Sequence, residues 1–233
     1  MNKEEFIEEI KKLGISITDE QLNKIEIYID FLIKYNEHTN LTRITNREDI
    51  LLKHFYDSLT IVKYVDLSNT KRVLDIGTGA GFPGMVLKIF YPDLEVTLLD
   101  SNNKKIKFLE ELSELLNINV NLINDRAEEF VKNYREYFDI VVSRAVASLN
   151  ILLELAIPFV KNKGLFVAMK SNVEEELKES TNACTILDVS ISSINKFNLI
   201  KEDSLRTIII FKKNSITNKI YPRLYSKIKK NPL

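Results

Sequence analysis

The feature that most constrains the fold is a glycine-rich segment, Asp75-Ile-Gly-Thr-Gly-Ala-Gly-Phe-Pro-Gly84, at the end of a short apolar run. Glycines at the tip of a strand allow the backbone to turn sharply and to approach a ligand closely. A helix that follows such a loop begins with unpaired N–H groups, which can hold a polar ligand. The segment predicts a strand, a ligand-binding loop and a helix. The alternative interpretation is a tight turn that binds nothing.

Apolar runs alternate with helical patterns through the middle of the chain. We predict strands at residues 72–76, 95–100, 120–123, 138–143 and 164–170, and helices at 84–90, 104–117, 127–132 and 149–160. This alternation is typical of βαβ units, which form a parallel sheet with helices on both faces. After a predicted helix at 173–178, two strand-like runs at 185–195 and 204–211 indicate a closing hairpin.

Residues 1–68 have the pattern of helices. Apolar residues recur at helical spacing at Leu22, Ile25, Ile29, Leu32 and Ile33. Thr18 and Gln21 have the spacing of a capping box at the start of that helix. A further helix is predicted at 47–64. The chain therefore has an N-terminal helical extension before its α/β part.

The charges of the chain are balanced in number but not in position. There are 33 basic and 33 acidic residues, which argues against a protein coated in positive charge. Residues 212–233 nevertheless hold seven basic residues and no acidic one, so an acidic body carries a basic tail that lacks a core-like pattern. One cysteine excludes an internal disulfide and a cysteine-rich zinc site. We expect a cytoplasmic protein, because no signal peptide or membrane-spanning run is present.

The loop and the second predicted strand together indicate an adenosine-containing cofactor. Asp100 ends that strand, where a carboxylate can accept both hydroxyls of a ribose. The dinucleotide fingerprint G-x-G-x-x-G would require glycine where this chain has Phe82. Asp75 would repel a pyrophosphate but could hold a cationic amino group. The pattern around Asp75, Gly77 and Gly79 resembles motif I of class I S-adenosylmethionine methyltransferases.

Two further segments lie where ligands bind in open α/β sheets. Arg144 follows the fourth predicted strand and can reach cofactor or substrate, although it could instead be a surface cation that caps a carbonyl. The backbone of Ala127 and Glu128, after the third strand, could contact the edge of an adenine. The alternative is a plain helix start with Asp125 as the N-cap residue.

Several longer segments match one family. They are NLTRITN (40–46), HFYDSL (54–59), DIGTGAGFPG (75–84), TLLDS (97–101), KIKFL (105–109), RAE (126–128), SRAVASL (143–149) and YPR…KNPL (221–233). On these segments the chain resembles the bacterial 16S rRNA guanine-N7 methyltransferases, also called glucose-inhibited division protein B or ribosomal small-subunit methyltransferase G. The resemblance extends over nearly the whole chain, and only the glycine loop is widely shared with other families.

The resemblance implies an α/β fold, namely a class I S-adenosylmethionine-dependent methyltransferase (Rossmann-like) sheet, mostly parallel, with an N-terminal helical extension. It divides the chain into a helical cap (1–68), a methyltransferase domain (69–211) and a basic tail (212–233). The implied partner is 16S ribosomal RNA or the small ribosomal subunit, with no metal and no membrane. The family pattern implies cofactor contacts at Gly77, Phe82, Ala127, Glu128 and Arg144, to which the pattern of the residues adds Asp75, Gly79 and Asp100.

Chemistry at guanine N7 sets the remaining expectations. N7 has a free lone pair, so we expect no general base and a reaction that depends on positioning by Arg144 and Lys170. Arg or Lys side chains should bind O6 or phosphate and leave N7 free; the candidates are Arg144, Lys170, Arg206 and Arg223. We interpret His54 and Asp57 as helix-to-sheet hydrogen-bonding residues. The alternatives are a methyltransferase for another RNA, a protein or a small molecule, and a non-catalytic ribosome-assembly binder.

Overall fold

The computed structural model describes residues 1–233 and contains one seven-stranded sheet. The strands are β1 (Arg72–Ile76), β2 (Glu95–Asp100), β3 (Asn121–Asn124), β4 (Phe138–Arg144), β5 (Val160–Lys170), β6 (Val189–Asn198) and β7 (Leu205–Lys213). Their order across the sheet is β3-β2-β1-β4-β5-β7-β6, and only the pairs made by β7 are antiparallel. The predicted parallel sheet and closing hairpin are both present.

Eleven α-helices surround the sheet. They are α1 (Lys3–Lys12), α2 (Asp19–Thr39), α3 (Arg47–Ile50), α4 (Asp57–Leu59), α5 (Gly84–Phe90), α6 (Asn103–Leu115), α7 (Ala127–Tyr134), α8 (Leu149–Ala156), α9 (Glu174–Glu179), α10 (Thr181–Ile186) and α11 (Tyr225–Lys230). A π-helical segment, Leu51–Tyr56, lies between α3 and α4, and short 3-10 turns follow α4 and α8. No helix combines the length and apolar character that crossing a membrane requires.

The direction of chain progression across the sheet reverses between β1 and β4. From β1 the chain moves outward through β2 to β3, then returns to β4 on the other side of β1. In open α/β sheets the crevice beyond the strand ends at such a reversal is where ligands bind. The glycine-rich segment after β1 and the segment after β4 therefore open into the same region.

The two faces of the sheet carry two hydrophobic cores. One core joins the N-terminal helices to α5 and α6, and it includes Tyr28 and Phe55 beside Phe82 and Phe108. The other joins α7, α8, α10 and α11 to the opposite face. Because the N-terminal helices share a continuous core with the sheet, their position relative to the strand ends is determined by packing.

Several element boundaries differ from the sequence-based expectation. The predicted helix at 47–64 is a succession of α, π and 3-10 segments, because its backbone hydrogen-bond pattern changes along the way. The predicted helix at 149–160 ends at Ala156, where Pro158 introduces a 3-10 turn, and β5 begins at Val160 instead of 164. The run 185–195 begins in α10. The capping box is confirmed, since Thr18 and Gln21 bond reciprocally.

The basic tail packs against the body, which its pattern did not indicate. Ile228 of α11 is fully buried. Lys213, also fully buried, lies 2.9 Å from Glu136 and donates to the carbonyls of Ile157 and Val160, on either side of the 3-10 turn after α8. Arg223 donates through Nε and Nη2 to the buried carboxylate of Glu154 at 2.8 and 2.6 Å. The exposed charge of the tail is therefore limited to its other basic residues: Lys212, Lys219, Lys227, Lys229 and Lys230.

The Arg223–Glu154 pair generates a stability prediction. Glu154 is fully buried, so Arg223→Ala would leave a desolvated carboxylate without its charged partner. We expect the free energy of unfolding to fall by about 2 kcal/mol in urea denaturation at pH 7. The exposed Lys229→Ala should stay within about 0.5 kcal/mol of the wild type. Equal stability of the two variants would show that the tail does not depend on this pair.

Candidate active site

The loop after β1 adopts a conformation that requires glycine. Gly77 and Gly81 have φ of +68° and +97°, in the left-handed region. The Gly77 N–H donates to the carbonyl of Leu99 at 2.8 Å, which ties the loop to the neighbouring β2. A Cβ atom on Gly77 would come within 2.5 Å of the Val146 side chain. The loop therefore passes directly under the segment that follows β4.

The Asp75 carboxylate holds both ends of this loop by hydrogen bonds. It is fully buried, and its Oδ2 accepts hydrogen bonds from Gly84 N and Thr78 Oγ1, each at 2.8 Å. Its Oδ1 has no partner. Burial raises the pKa of Asp75 to about 6, opposed by those two hydrogen bonds. The unpaired oxygen agrees with a role near a cationic group, but Asp75 does not line the cavity, and its direct contact with a cofactor stays a prediction.

A cavity of about 340 Å³ opens beyond the ends of β1 and β2. Of the predicted cofactor residues it brings together Gly77, Asp100, Ala127 and Glu128. Gly79 is joined to the same wall, because its N–H donates to Asp100 Oδ2 at 3.0 Å. The volume lies within the range of small-molecule sites. A ligand-sized space therefore lies beside the loop, and binding of a cofactor there stays a prediction.

Asp100 presents a fixed carboxylate to this cavity. It is only 6% exposed, and Oδ1 accepts from Asn102 N at 2.9 Å. Lys105 lies 3.3 Å from Oδ2 and partly neutralises it. A carboxylate offers about four acceptor positions, and Asn102 N, Gly79 N and Lys105 occupy three of them. About one position therefore remains for a ribose hydroxyl, and a second hydroxyl would take the place of Lys105.

The start of α7 leaves its first amide groups without a side-chain cap. The N-cap residue is Arg126 and not Asp125, whose Oδ1 instead accepts from Arg126 N at 2.7 Å. The alternative of Asp125 as a conventional N-cap is therefore wrong. The amides of Ala127 and Glu128 lie at the cavity wall, where they could donate to an adenine ring nitrogen.

The tail contributes a residue that the strand and loop patterns did not single out. Tyr225, the first residue of α11, lines the cavity, and the guanidinium carbon of Arg126 lies 4.5 Å from the centre of its ring. Lys105 is another cavity residue outside the predicted set. The only signal for Tyr225 was its position between the two parts of the YPR…KNPL segment.

A second cavity, of about 580 Å³, lies on the other side of the segment after β4. Ala145 and Val146 line both cavities and form the wall between them. Its polar lining includes His54, Asp57, Arg144, Lys170, Glu176 and Arg206. The structure thus assembles three of the four predicted substrate-binding residues in one cavity. No group of three His, Cys, Asp or Glu side chains is arranged to hold a metal ion.

Asp57 connects two of these basic residues. Its Oδ2 lies 3.2 Å from Arg144 Nη1, and its Oδ1 accepts from Arg206 Nε at 3.1 Å. Arg144 also donates to the carbonyl of Lys53 at 2.9 Å. It therefore caps a carbonyl, as the alternative interpretation expected, but its side chain is mostly buried and not at the surface. The interpretation of His54 and Asp57 as helix-to-sheet hydrogen-bonding residues is confirmed.

His54 is neutral in this environment. Burial, together with the nearby Arg144 charge, lowers the pKa of His54 to about 3. Arg144 Nη2 lies 3.1 Å from Nδ1, and a guanidinium can only donate, so Nδ1 accepts. The proton therefore sits on Nε2, which donates to Thr42 Oγ1 at 3.0 Å. Both ring nitrogens are engaged.

Three further predicted residues do not lie in the cavity where the prediction would place them. Phe82 lines neither cavity; it is buried and stacks between His54 and Tyr28, with ring centres 4.5 and 5.3 Å away. Arg144 faces the second cavity and not the one beside Asp100. Arg223 is paired with Glu154 and lines neither. Their contacts with cofactor or RNA stay predictions.

The comparisons agree with this geometry. The family model described as rRNA small subunit methyltransferase G matches residues 21–205. The chain belongs to this family.

Family relatives match over 96% or more of their length. The ribosomal RNA small subunit methyltransferase G of Bacillus subtilis (strain 168) is 46% identical over 237 residues, which cover 100% of this chain and 99% of that protein. The protein of the same name from Lysinibacillus sphaericus (strain C3-41) is 44% identical, with 100% of both chains covered. The one from Acholeplasma laidlawii (strain PG-8A) is 42% identical, covering 95% and 96%.

Solved structures show the same fold. A methyltransferase from Pyrococcus furiosus superposes with a TM-score of 0.55 at 21% identity, covering 69% of this chain and 81% of that one. TYW2 from P. horikoshii, solved in complex with MeSAdo, has a TM-score of 0.51 at 13% identity, covering 61% and 56%. The fold of this family member is that of class I S-adenosylmethionine-dependent methyltransferases, as the sequence predicts.

The depressed pKa of His54 generates a prediction about pH. An unfolded histidine takes up a proton below about pH 6.5, whereas folded His54 stays neutral down to about pH 3. Stability is therefore lost as pH falls through this window, by up to about 1.4 kcal/mol per unit. Between pH 7 and pH 5 the unfolding free energy of the wild type should fall about 2 kcal/mol further than that of His54→Gln. The exposed His38→Gln should behave as the wild type does; equal losses in all three proteins would contradict the assignment.

Proposed function

We propose that this protein is a cytoplasmic methyltransferase that uses S-adenosylmethionine to methylate N7 of a guanine in 16S ribosomal RNA. The observation that carries the proposal is the pair of cavities on either side of Ala145 and Val146, beyond the ends of the parallel strands. One has the acceptor and amide groups that suit an adenosine, and the other has the basic groups that suit a nucleotide. Full-length similarity to relatives named for small-subunit ribosomal RNA supports this RNA as the substrate.

The residues of the first cavity fit the cofactor. Asp100 would bind the ribose hydroxyls, the amides of Ala127 and Glu128 would bind the adenine edge, and the Gly77 backbone allows close approach. S-Adenosylmethionine supplies an electrophilic methyl group on a sulfonium centre. Beyond this, the contribution of the chain is to hold donor and acceptor in line and to exclude water.

Transfer to N7 requires no proton acceptor. The N7 lone pair forms the new bond to carbon while the carbon–sulfur bond breaks, and the positive charge passes to the base. The state of His54 supports a reaction without a general base, since Nδ1 accepts from Arg144 and Nε2 donates to Thr42. Donors aimed at N7 itself would compete with the reaction, so we assign Arg144, Lys170 and Arg206 to positioning the nucleotide through O6 or phosphate.

The surface charge indicates where the rest of the RNA would lie. Residues 1–211 carry 33 acidic and 26 basic residues, which gives a net charge of −7 on the body. The five exposed lysines of the tail belong to a stretch, residues 212–233, that has no acidic residue. Three of them, Lys227, Lys229 and Lys230, lie on α11, whose first residue lines the first cavity. We infer that RNA approaches across this helix.

One experiment tests the whole proposal. Small-subunit RNA from cells with and without the gene is digested to nucleosides and analysed by mass spectrometry. We expect 7-methylguanosine at one position to disappear without the gene and to return when purified protein and S-adenosylmethionine are added to small subunits. Unchanged 7-methylguanosine would refute the proposed activity and favour a non-catalytic binder or another substrate.

Cofactor binding is tested by calorimetry with S-adenosylmethionine. Asp100→Ala should weaken binding about 10- to 100-fold, because it removes a charged acceptor of two hydroxyls. Gly77→Glu should abolish binding, since its backbone conformation and the nearby Val146 exclude a side chain. Asp93→Ala, in the exposed turn before β2, is the control and should bind normally. Tight binding of NADH instead of S-adenosylmethionine would overturn the assignment.

The role of α11 is tested by salt dependence. Changing Lys227, Lys229 and Lys230 to Gln should lower the slope of log affinity for RNA against log salt by up to about 2, since each phosphate contact releases counterions. The control removes the same charge from α1 through Lys3, Lys11 and Lys12, all exposed. If both triple variants lose the same slope, binding depends on net charge and not on α11.

A further inference from the structure

A lysine–glutamate pair forms one side of the second cavity. Lys170 is the last residue of β5, and its ammonium lies 2.7 Å from Oε2 of Glu176 on α9. The same oxygen accepts the backbone N–H of Leu149 at 2.8 Å. Glu176 is thus held through one oxygen by two donors from two different elements. Its Oε1 has no hydrogen-bond partner.

Glu176 is the available carboxylate of this cavity. Asp57 also lines the cavity, but its side chain is 5% exposed and both oxygens are taken by Arg144 and Arg206. The Glu176 side chain is 28% exposed, and two of its roughly four acceptor positions are unused. A cavity that served only to bind phosphate would gain nothing from an accessible carboxylate, which repels an anion.

We propose that Glu176 and Lys170 together read the Watson–Crick edge of the target guanine. Glu176 accepts the N1–H and 2-amino groups, and Lys170 donates to O6. This inference rests on the proposed function, because it names the residues that select the base for the same reaction. It adds Glu176 as a specificity-determining residue that touches the substrate.

The arrangement of donor beside acceptor gives the selectivity. Guanine presents the O6 acceptor next to the N1–H donor, which matches an ammonium next to a carboxylate. Adenine presents an amino donor next to the N1 acceptor. The ammonium would then face a donor and the carboxylate an acceptor, and these buried polar groups would stay unpaired. O6 projects from C6, between the N1 edge and the N7 edge of guanine. Contacts on the N1 side therefore leave N7 free for methylation.

The test compares Glu176→Gln with Glu175→Gln, its exposed neighbour on α9, which does not line the cavity. In Glu176→Gln the amide oxygen should accept the hydrogen bonds from Lys170 and Leu149. The amide nitrogen, a donor, then faces the N1–H and 2-amino donors of guanine. The substrates are small subunits reconstituted with 16S RNA that carries either guanine or a single inosine at the position the wild type methylates. Inosine lacks only the 2-amino group.

We expect the wild type and Glu175→Gln to methylate guanine about tenfold more efficiently than inosine, measured as kcat/KM. For Glu176→Gln the ratio should fall to about one, with kcat/KM on guanine reduced about 10- to 100-fold and unchanged affinity for S-adenosylmethionine. A purely structural Glu176 would lower both rates and keep the ratio.

Three results would decide against the inference. A wild type without preference for guanine over inosine overturns it independently of any variant. An unchanged ratio in Glu176→Gln overturns it while the proposed function stands. A wild type that methylates N7 of neither guanine nor inosine refutes the proposed function itself, and the base-reading role with it.

Discussion

The contacts of the Asp57 carboxylate with two arginines are the interaction on which the second cavity depends. This carboxylate comes from the helical segment of the N-terminal extension, and it contacts Arg144 at the end of β4 and Arg206 on β7. It is almost fully buried, so both arginines are held close to an unscreened charge. By joining these elements it keeps two long, mobile side chains at the wall of a cavity. Without this contact the basic residues would lose their fixed geometry.

The same extension also supports the glycine loop beside the first cavity. Tyr28 of α2 donates to the carbonyl of Ala80 within the glycine loop and stacks on Phe82. His54 also stacks on Phe82, and its Nδ1 accepts a hydrogen bond from Arg144. The position that holds the third glycine in a dinucleotide loop is therefore occupied by Phe82, whose ring packs against Tyr28 and His54 of the helical extension. The helical extension lines the second cavity directly, and it supports the first only through its contacts with the glycine loop.

Much of the fold followed from local patterns. The strands before and after the glycine loop, the capping box of α2 and the closing hairpin all depend on short-range periodicity and turn residues, which sequence displays directly. The succession of α, π and 3-10 segments around Leu51–Tyr56 did not follow from the sequence, because the choice among these hydrogen-bond patterns depends on how the segment packs. Likewise, no periodicity reveals that Lys213 is buried, since its partners Glu136 and the carbonyl of Val160 are distant in the chain.

The sequence by itself determined the class of fold, the type of cofactor and the glycine loop, because the backbone conformation of Gly77 and the position of Asp100 at a strand end follow from local patterns. Only the tertiary structure decided which charges are available. It neutralised Arg223 with Glu154, directed Arg144 toward the second cavity and left Glu176 beside Lys170 with a free oxygen. The physical reason is that a charge acts according to its burial and its neighbours, and these are set by contacts between residues far apart in the chain.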